Sequence, residues 1–410
     1  MRCFHAAIAR HLVSCGCLSA VVLVMGGCGK KGSKSPPAPV RVWTEEVSPQ
    51  ITYGQAVASI VWNDPCVIKE GSVYRMWLSG GLGTSANPNV RVHEATSSDG
   101  VAWTIGTTPQ VSEGTIGEWD SHRIETPMVV KAGATYHLYY SGGTETEVLG
   151  GRYRIGHATS PDGTTWTKDP ANPIVSYHDD SDPVHWGFYT TAEPGVVYDA
   201  TSGIFYLYYV TVKARPGGTG DFAGMFGIAV ATSTDGSTFT HYDADTDGFD
   251  DVVLEQSAAY PVSGLYVGYS TPFALIDSDH VFHLYYDVAQ YPAAGDFRQV
   301  ALAHATSTDG IHFTEVETNI FTNGGSTWHS WEIRAPAVLQ EGSTYRMWFA
   351  GHSAAGDPAT TGIGYATSQL VSAVATKPWE APTVRRNGMV ISTFNQRARR
   401  SIPTVAVSDN

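Results

Sequence analysis

Asp64 and Glu193 each stand immediately before a proline, and three further prolines that open equivalent segments follow Thr126, Thr271 and Ala335. Two carboxyl groups brought to one place can cleave a glycosidic bond: one protonates the leaving oxygen while the other attacks the sugar or activates a water. An apolar wall around such a pair raises the pKa of one acid while the other stays ionised. Two to nine residues upstream of the same prolines lie Trp62, His122, Arg123, Glu125, His185, Tyr189, Trp331 and Arg334. Aromatic faces and charged donors suit sugar rings and hydroxyls, so these residues, with Thr126 and Thr271, are the candidate substrate contacts. Trp119, Trp186 and Trp328 recur eight residues before their prolines, and that repetition reads as loop-to-strand packing.

A second cluster has different chemistry. Asp243, Asp245 and Asp247 alternate ahead of Gly248, with Asp251 beyond, in the manner of a calcium loop's oxygen ligands and turn glycine. Leu254 stands where an EF-hand carries its closing glutamate, so the loop is either a calcium-stabilised surface loop or a solvated acidic one. The site chemistry otherwise needs no cofactor. No phosphate loop, Ser-His-Asp arrangement or paired redox cysteines stand in the sequence.

The elements that must position these residues form a repeat. Ala-Thr-Ser recurs at Ala95, Ala158, Ala231, Ala305 and Ala366, with starts 63, 73, 74 and 61 residues apart. That period holds a four-stranded sheet with its loops and exceeds most solenoid repeats. In each unit a small apolar residue (Val67, Val129, Val196, Ala274, Val338) sits two places after the proline, as a strand's period of two requires. An aromatic strand follows, such as Tyr136-His137-Leu138-Tyr139-Tyr140, and the third strand ends in the tripeptide. Asp99, Asp162, Asp235 and Asp309 each precede a glycine, and an aromatic lies four residues on, which is a hairpin turn leading to an outer strand.

These units predict an all-β fold, a five-bladed β-propeller of four-stranded antiparallel blades around a central channel, over residues 40–370. First strands line the channel of a propeller, so the five residues before the prolines should converge. The fifth unit lacks the Asp-Gly turn and its outer strand. Val40-Arg41-Val42-Trp43-Thr44 resembles Ala102-Trp103-Thr104 and is the candidate to close the ring beside residues 363–368, with the tail, 371–410, as the other donor.

With five blades, Trp62-Asn63-Asp64-Pro65 on the first inner strand and Glu193-Pro194 on the third, residues 55–370 resemble the five-bladed glycoside hydrolases of families 43, 32 and 68, which include arabinanases, xylosidases, invertases and levansucrases. The resemblance implies that Asp64 is general base or nucleophile and Glu193 general acid. That group also carries on blade two an Asp that tunes the acid, and Thr126 occupies that place here. Glu125 is adjacent, but strand alternation points it away from the channel unless a bulge re-aims it. Two functional readings follow: a glycoside hydrolase acting on a neutral glycan, or a non-catalytic propeller that binds carbohydrate or a protein.

Residues 1–27 read as a lipoprotein signal, with Arg2 and Arg10 flanking the apolar run Leu12–Met25 and Cys28 as the residue to be acylated. Residues 28–39 form a flexible tether. The expected product is exported, lipid-anchored to the bacterial envelope or else secreted, touches membrane only through Cys28, and is a monomer. Beyond Cys28 only Cys66 remains, which excludes an intrachain disulfide. Net charge falls from −14 to −16 when Arg2 and Arg10 leave, which argues against nucleic-acid and polyanionic partners.

Overall fold

The structure, a computed structural model, describes residues 40–371 apart from 82–89, 150, 179–184, 215–223, 256–264, 293–297 and 356. The proposed signal, tether and lipidated Cys28, and the tail beyond residue 371, lie outside the described residues.

Alternating aromatic and aliphatic runs fold as the antiparallel sheets expected of them. Blade one comprises Val61–Glu70, Val73–Gly81, Arg91–Ser97 and Thr104–Ile105; blade two comprises Arg123–Ala132, Thr135–Gly143, Arg154–Ser160 and Thr167–Lys168. Blades three and four begin with Thr191–Asp199 and Leu265–Ile276, and blade five with Glu332–Glu341, Thr344–His352 and Thr361–Val371. The strand Val40–Glu45 pairs antiparallel with Thr361–Val371, Trp43 opposite Ser368, and supplies blade five with its outer strand. Closure of the ring thus joins the first described residues to the last blade. Helix is confined, among the described residues, to Glu145–Leu149 and a single 3₁₀ turn at Pro358–Thr360.

The repeated words of the sequence make the joints. In each Asp-Gly turn the preceding serine hydroxyl accepts the glycine N–H, as Ser97 does from Gly100 at 2.9 Å, and the aspartate accepts two N–H groups beyond it. At three of the four turns a buried ring from the preceding blade donates to the turn: Tyr139 to the Gly236 carbonyl at 2.6 Å, Tyr208 to Gly310 at 2.8 Å, and Trp348 to Gly100 at 2.8 Å across the closure; at the blade-two turn Arg75 donates to the Gly163 carbonyl at 3.0 Å instead. Blade five has no such turn, and the buried Tyr285 hydroxyl that would meet it finds no partner. The tryptophans Trp119, Trp186 and Trp328 pack over strand glycines, Gly156, Gly227 and Gly364, where a Cβ would collide with the indole. Their recurrence is structural, as the spacing implied.

Candidate active site

Each first strand loses its register at the proline. Asn63 pairs with Ser79 and Cys66 with Trp77, so Asp64 and Pro65 bulge out of the ladder, and the same break occurs in the other four blades. All five pre-proline residues take a left-handed backbone, with φ of 50° at Asp64, 53° at Thr126, 54° at Glu193, 41° at Thr271 and 51° at Ala335. For residues with a side chain this costs roughly 1 kcal/mol or more each, strain of the kind that clusters at functional sites. The five converge on the axis, where they and their prolines enclose a chamber of about 30 Å³. The convergence expected from the repeat is therefore present, by way of a bulge.

In blades one, two and five the residue two before the proline (Asn63, Glu125 and Arg334) faces the mouth of the propeller, while Ala192 and Ser270 at the same place in blades three and four are buried. An open cavity of about 400 Å³ lies there, lined by Asp64, Glu193, Asn63, Glu125, Arg334 and Arg123 among others. Alternation alone would have pointed Glu125 away; the register break between Glu125 and Met128 brings it in. Trp62 is corrected in the opposite sense. It is wholly buried in the blade, donating to the Gln55 carbonyl at 2.9 Å, because it holds the alternate position between Val61 and Asn63. Thr126 and Thr271 lie in the axial chamber and not on the open cavity, and the Thr126 hydroxyl is engaged by Ser141 at 2.6 Å and the Glu125 carbonyl at 2.8 Å. His122 is buried, His185 stacks on Phe249 with centroids 3.7 Å apart, Tyr189 lies 5.2 Å from Arg152, and Trp331 lies under Arg298 at 3.6 Å. None of these four lines the cavity.

Hydrogen bonds across the blades hold the axis. Ser79 accepts the N–H of Thr126 at 2.9 Å and Ser141 that of Glu193 at 2.7 Å, each a hydroxyl from one blade capping the bulge of the next. At the third step the equivalent residue is Val210, which cannot accept, and the Glu193 carboxylate itself takes the Thr271 N–H at 2.9 Å. At the fourth step Asp287 accepts the Ala335 N–H at 3.3 Å together with the hydroxyls of Ser270 and Thr271.

Asp287 escaped the sequence reading. Its signal is a second position where the repeat varies, six residues into each aromatic strand: Ser79, Ser141, Val210, Asp287, Ala350. Also unforeseen are His352, which faces Glu332 at 3.2 Å, and Tyr153, whose hydroxyl reaches Glu125 and Arg123.

Burial sets the protonation states. It pushes Glu193 up to about 8; the Asp287 charge and, less strongly, Asp64 add to the rise, against the Thr271 N–H and Arg334. Asp64 is pushed up to about 6 by burial, with Arg334 opposing and Glu125 adding. Two acids in one cavity thus hold their protons over different ranges, the pattern of an acid beside a base. Burial works against the charge of Arg334, but Glu332 at 3.4 Å, Asp64, Asp287 and Glu193 hold it as a cation. Its Nε finds no partner, an unmet donor beside the cavity.

The acidic loop stands apart. Carboxylate oxygens of Asp243, Asp245 and Asp247 lie within 4.8 Å of one another. Loop N–H groups already bond to them, Asp247 to Asp245 at 3.2 Å and Gly248 to Asp243 at 3.0 Å. Asp251 is not in this group; it accepts the Ala244 N–H at 2.7 Å instead.

Among solved structures, a family 117 glycoside hydrolase from the marine bacterium Zobellia galactanivorans matches with a TM-score of 0.52 at 14% identity, over 83% of this chain and 96% of that one. A β-1,2-mannobiose phosphorylase from Listeria innocua, complexed with β-1,2-mannobiose, matches with a TM-score of 0.56 at 14% identity, over 80% and 96%. A thermostable family-43 glycoside hydrolase matches with a TM-score of 0.51 at 15% identity, over 82% and 100%. The chain has the fold of the five-bladed glycoside hydrolases. At these identities the likeness is one of fold. No family model matches the sequence. Two uncharacterized proteins from strains of Mycobacterium tuberculosis are each 37% identical over 106 residues, 25% of this chain. The match spans about a third of their length, 32%.

Proposed function

We propose that this protein is a glycan-active propeller that hydrolyses a glycosidic bond with Asp64 and Glu193. The observation that carries the reading is that both carboxyl groups line one open cavity while their environments separate their protons, about 6 for Asp64 and about 8 for Glu193. Near neutral pH Glu193 holds a proton to give and Asp64 a lone pair to use. Glu193 donates its proton to the glycosidic oxygen as the bond to the anomeric carbon breaks. Asp64 either takes the proton of a water that bonds to that carbon, or bonds to the carbon itself in an ester that a water, giving its proton back to Glu193, then displaces; either route consumes one water and leaves one hydroxyl on each product. Arg334 steadies Asp64 in its ionised form.

Even with Glu193 protonated, Asp64, Glu125 and Asp357 outnumber Arg123 and Arg334 around the cavity, which favours a neutral glycan over an anionic one. The reaction so written needs no metal, and the Asp243–Asp247 loop is no part of the cavity lining. The leader and Cys28 are read as an export signal and lipid anchor that would hold the propeller outside the cytoplasm.

The alternative, a propeller that binds carbohydrate without cleaving it, is separated by reducing-sugar release across a panel of neutral oligosaccharides. Release that follows a bell-shaped pH dependence with limbs near 6 and 8 supports hydrolysis. Saturable binding with no release at any pH refutes it.

A further inference from the structure

We propose that Asp287, on the second strand of blade four, is the third carboxylate of this site, a positioning residue coupled to Glu193 through Thr271. The proposal rests on the reading of Glu193 as the acid. Asp287 has no exposed surface, and a buried carboxylate without a task is costly. It accepts from the hydroxyls of Ser270 and Thr271 and from the Ala335 N–H at 3.3 Å, a set of donors that suits the ionised form. Thr271 meanwhile gives its own N–H to Glu193 at 2.9 Å. One residue therefore holds both carboxyl groups, and its backbone, at φ 41°, is bent to do so.

The link exists because Val210 replaces the serine that caps the bulge at the two preceding steps, leaving the Thr271 N–H to Glu193. An ionised Asp287 fixed this close disfavours a second negative charge on Glu193 and so keeps the acid protonated. Blade two's equivalent, with Thr126 before its proline, has no carboxylate at the axis. The charged groups that face Glu193 are Asp287 from blade four, Asp64 from blade one and Arg334 from blade five; Glu125 faces Asp64, and Glu332 and Arg334 face Asp287.

The test is a carbon-detected NMR titration of the intact chain carrying ¹³C-labelled glutamate, with the Glu193 signal identified by its loss in Glu193→Gln. In Asp287→Asn the Glu193 midpoint should fall by at least one pH unit, a tenfold rise in its ionisation constant. Thr271→Val, which removes the hydroxyl and keeps the branched shape, should lower it in the same direction, and Thr271→Ser should leave it as in the wild type. A merely structural Asp287 would alter melting without moving that midpoint. If Asp287→Asn does not fold, Thr271→Val and Thr271→Ser decide the matter. A midpoint unchanged in the folded variants overturns the proposal whatever the turnover. Wild-type inactivity on every glycan tried would bear on the hydrolase reading alone, because the titration needs no substrate.

Discussion

Replacing Glu193 with glutamine should make the propeller more stable, and by an amount that depends on pH. Burial and Asp287 push the acid from 4.5 to about 8, so the folded chain holds this proton far more tightly than the unfolded chain does. Below the ordinary glutamate range both states are protonated and Glu193 carries no penalty. As pH rises from there, the unfolded chain ionises freely while the folded one resists, and stability falls until pH passes about 8. The loss from this one group is roughly 3 kcal/mol at pH 7, approaching about 5 kcal/mol above pH 8. Glutamine keeps the oxygen that accepts the Thr271 N–H and never ionises, so it escapes the loss. The assay is urea unfolding followed by fluorescence of the chain's 11 tryptophans, wild type against Glu193→Gln, at pH 4.5, 6, 7 and 8.5. The two should coincide at the lowest pH and diverge steadily above it. Equal stability at all four values would mean that Glu193 ionises without hindrance, and the reasoning from burial to acid would fail.

Other consequences are local to the blades. Tyr139→Phe should destabilise by about 1–2 kcal/mol, since it orphans the buried Gly236 carbonyl, while Tyr285→Phe should be neutral or stabilising because that hydroxyl has no partner to lose; paired denaturation curves check both. Burial, with His157 beside it, pushes His137 down to about 4, so the unfolded chain takes up that proton first and stability should fall as pH drops from about 6.5 toward 4; the slope should flatten in His137→Asn. Gly364→Ala should place a methyl into the Trp328 indole and cost about 1–3 kcal/mol, measured as a lowered denaturation midpoint.

The architecture was legible because its signals are local and repeated. Ala-Thr-Ser, Asp-Gly and the aromatic runs each build a turn or strand within a few residues, and the spacing between copies reports the blade. Even the closing strand was legible, since Val40–Thr44 resembles an outer strand that blade five lacks. The pre-proline series Asp64, Thr126, Glu193, Thr271 and Ala335 located the axis for the same reason. What strand alternation could not convey was the bulge. A register break at five prolines sends Glu125 to the cavity and leaves Trp62 in the core, opposite to the simple period of two. Asp287 was marked only by a second varying position of the repeat, whose meaning needs the fold: it lies on a second strand, and the ring brings the charge of this blade-four carboxyl to bear on a blade-three acid. His122, His185, Tyr189 and Trp331 are near the prolines in sequence, but packing takes up their rings: His122 is buried, His185 lies on Phe249, Tyr189 by Arg152 of blade two and Trp331 under Arg298 of blade four.

The division of labour between Asp64 and Glu193 is tested most directly by the leaving group. An acid is needed to protonate a poor leaving group and is dispensable for a good one, whereas the base or nucleophile is needed for both. Matched glycosides of the preferred sugar, one with an alkyl and one with a dinitrophenyl aglycone, should be turned over by wild type, Glu193→Gln and Asp64→Asn at pH 7. The account predicts that in kcat/KM, which reports cleavage of the glycosidic bond, Glu193→Gln loses the alkyl glycoside by at least about 10²-fold and largely keeps the dinitrophenyl one, while Asp64→Asn loses both. Equal loss of both substrates in Glu193→Gln, or turnover by Asp64→Asn at the wild-type rate, would contradict it.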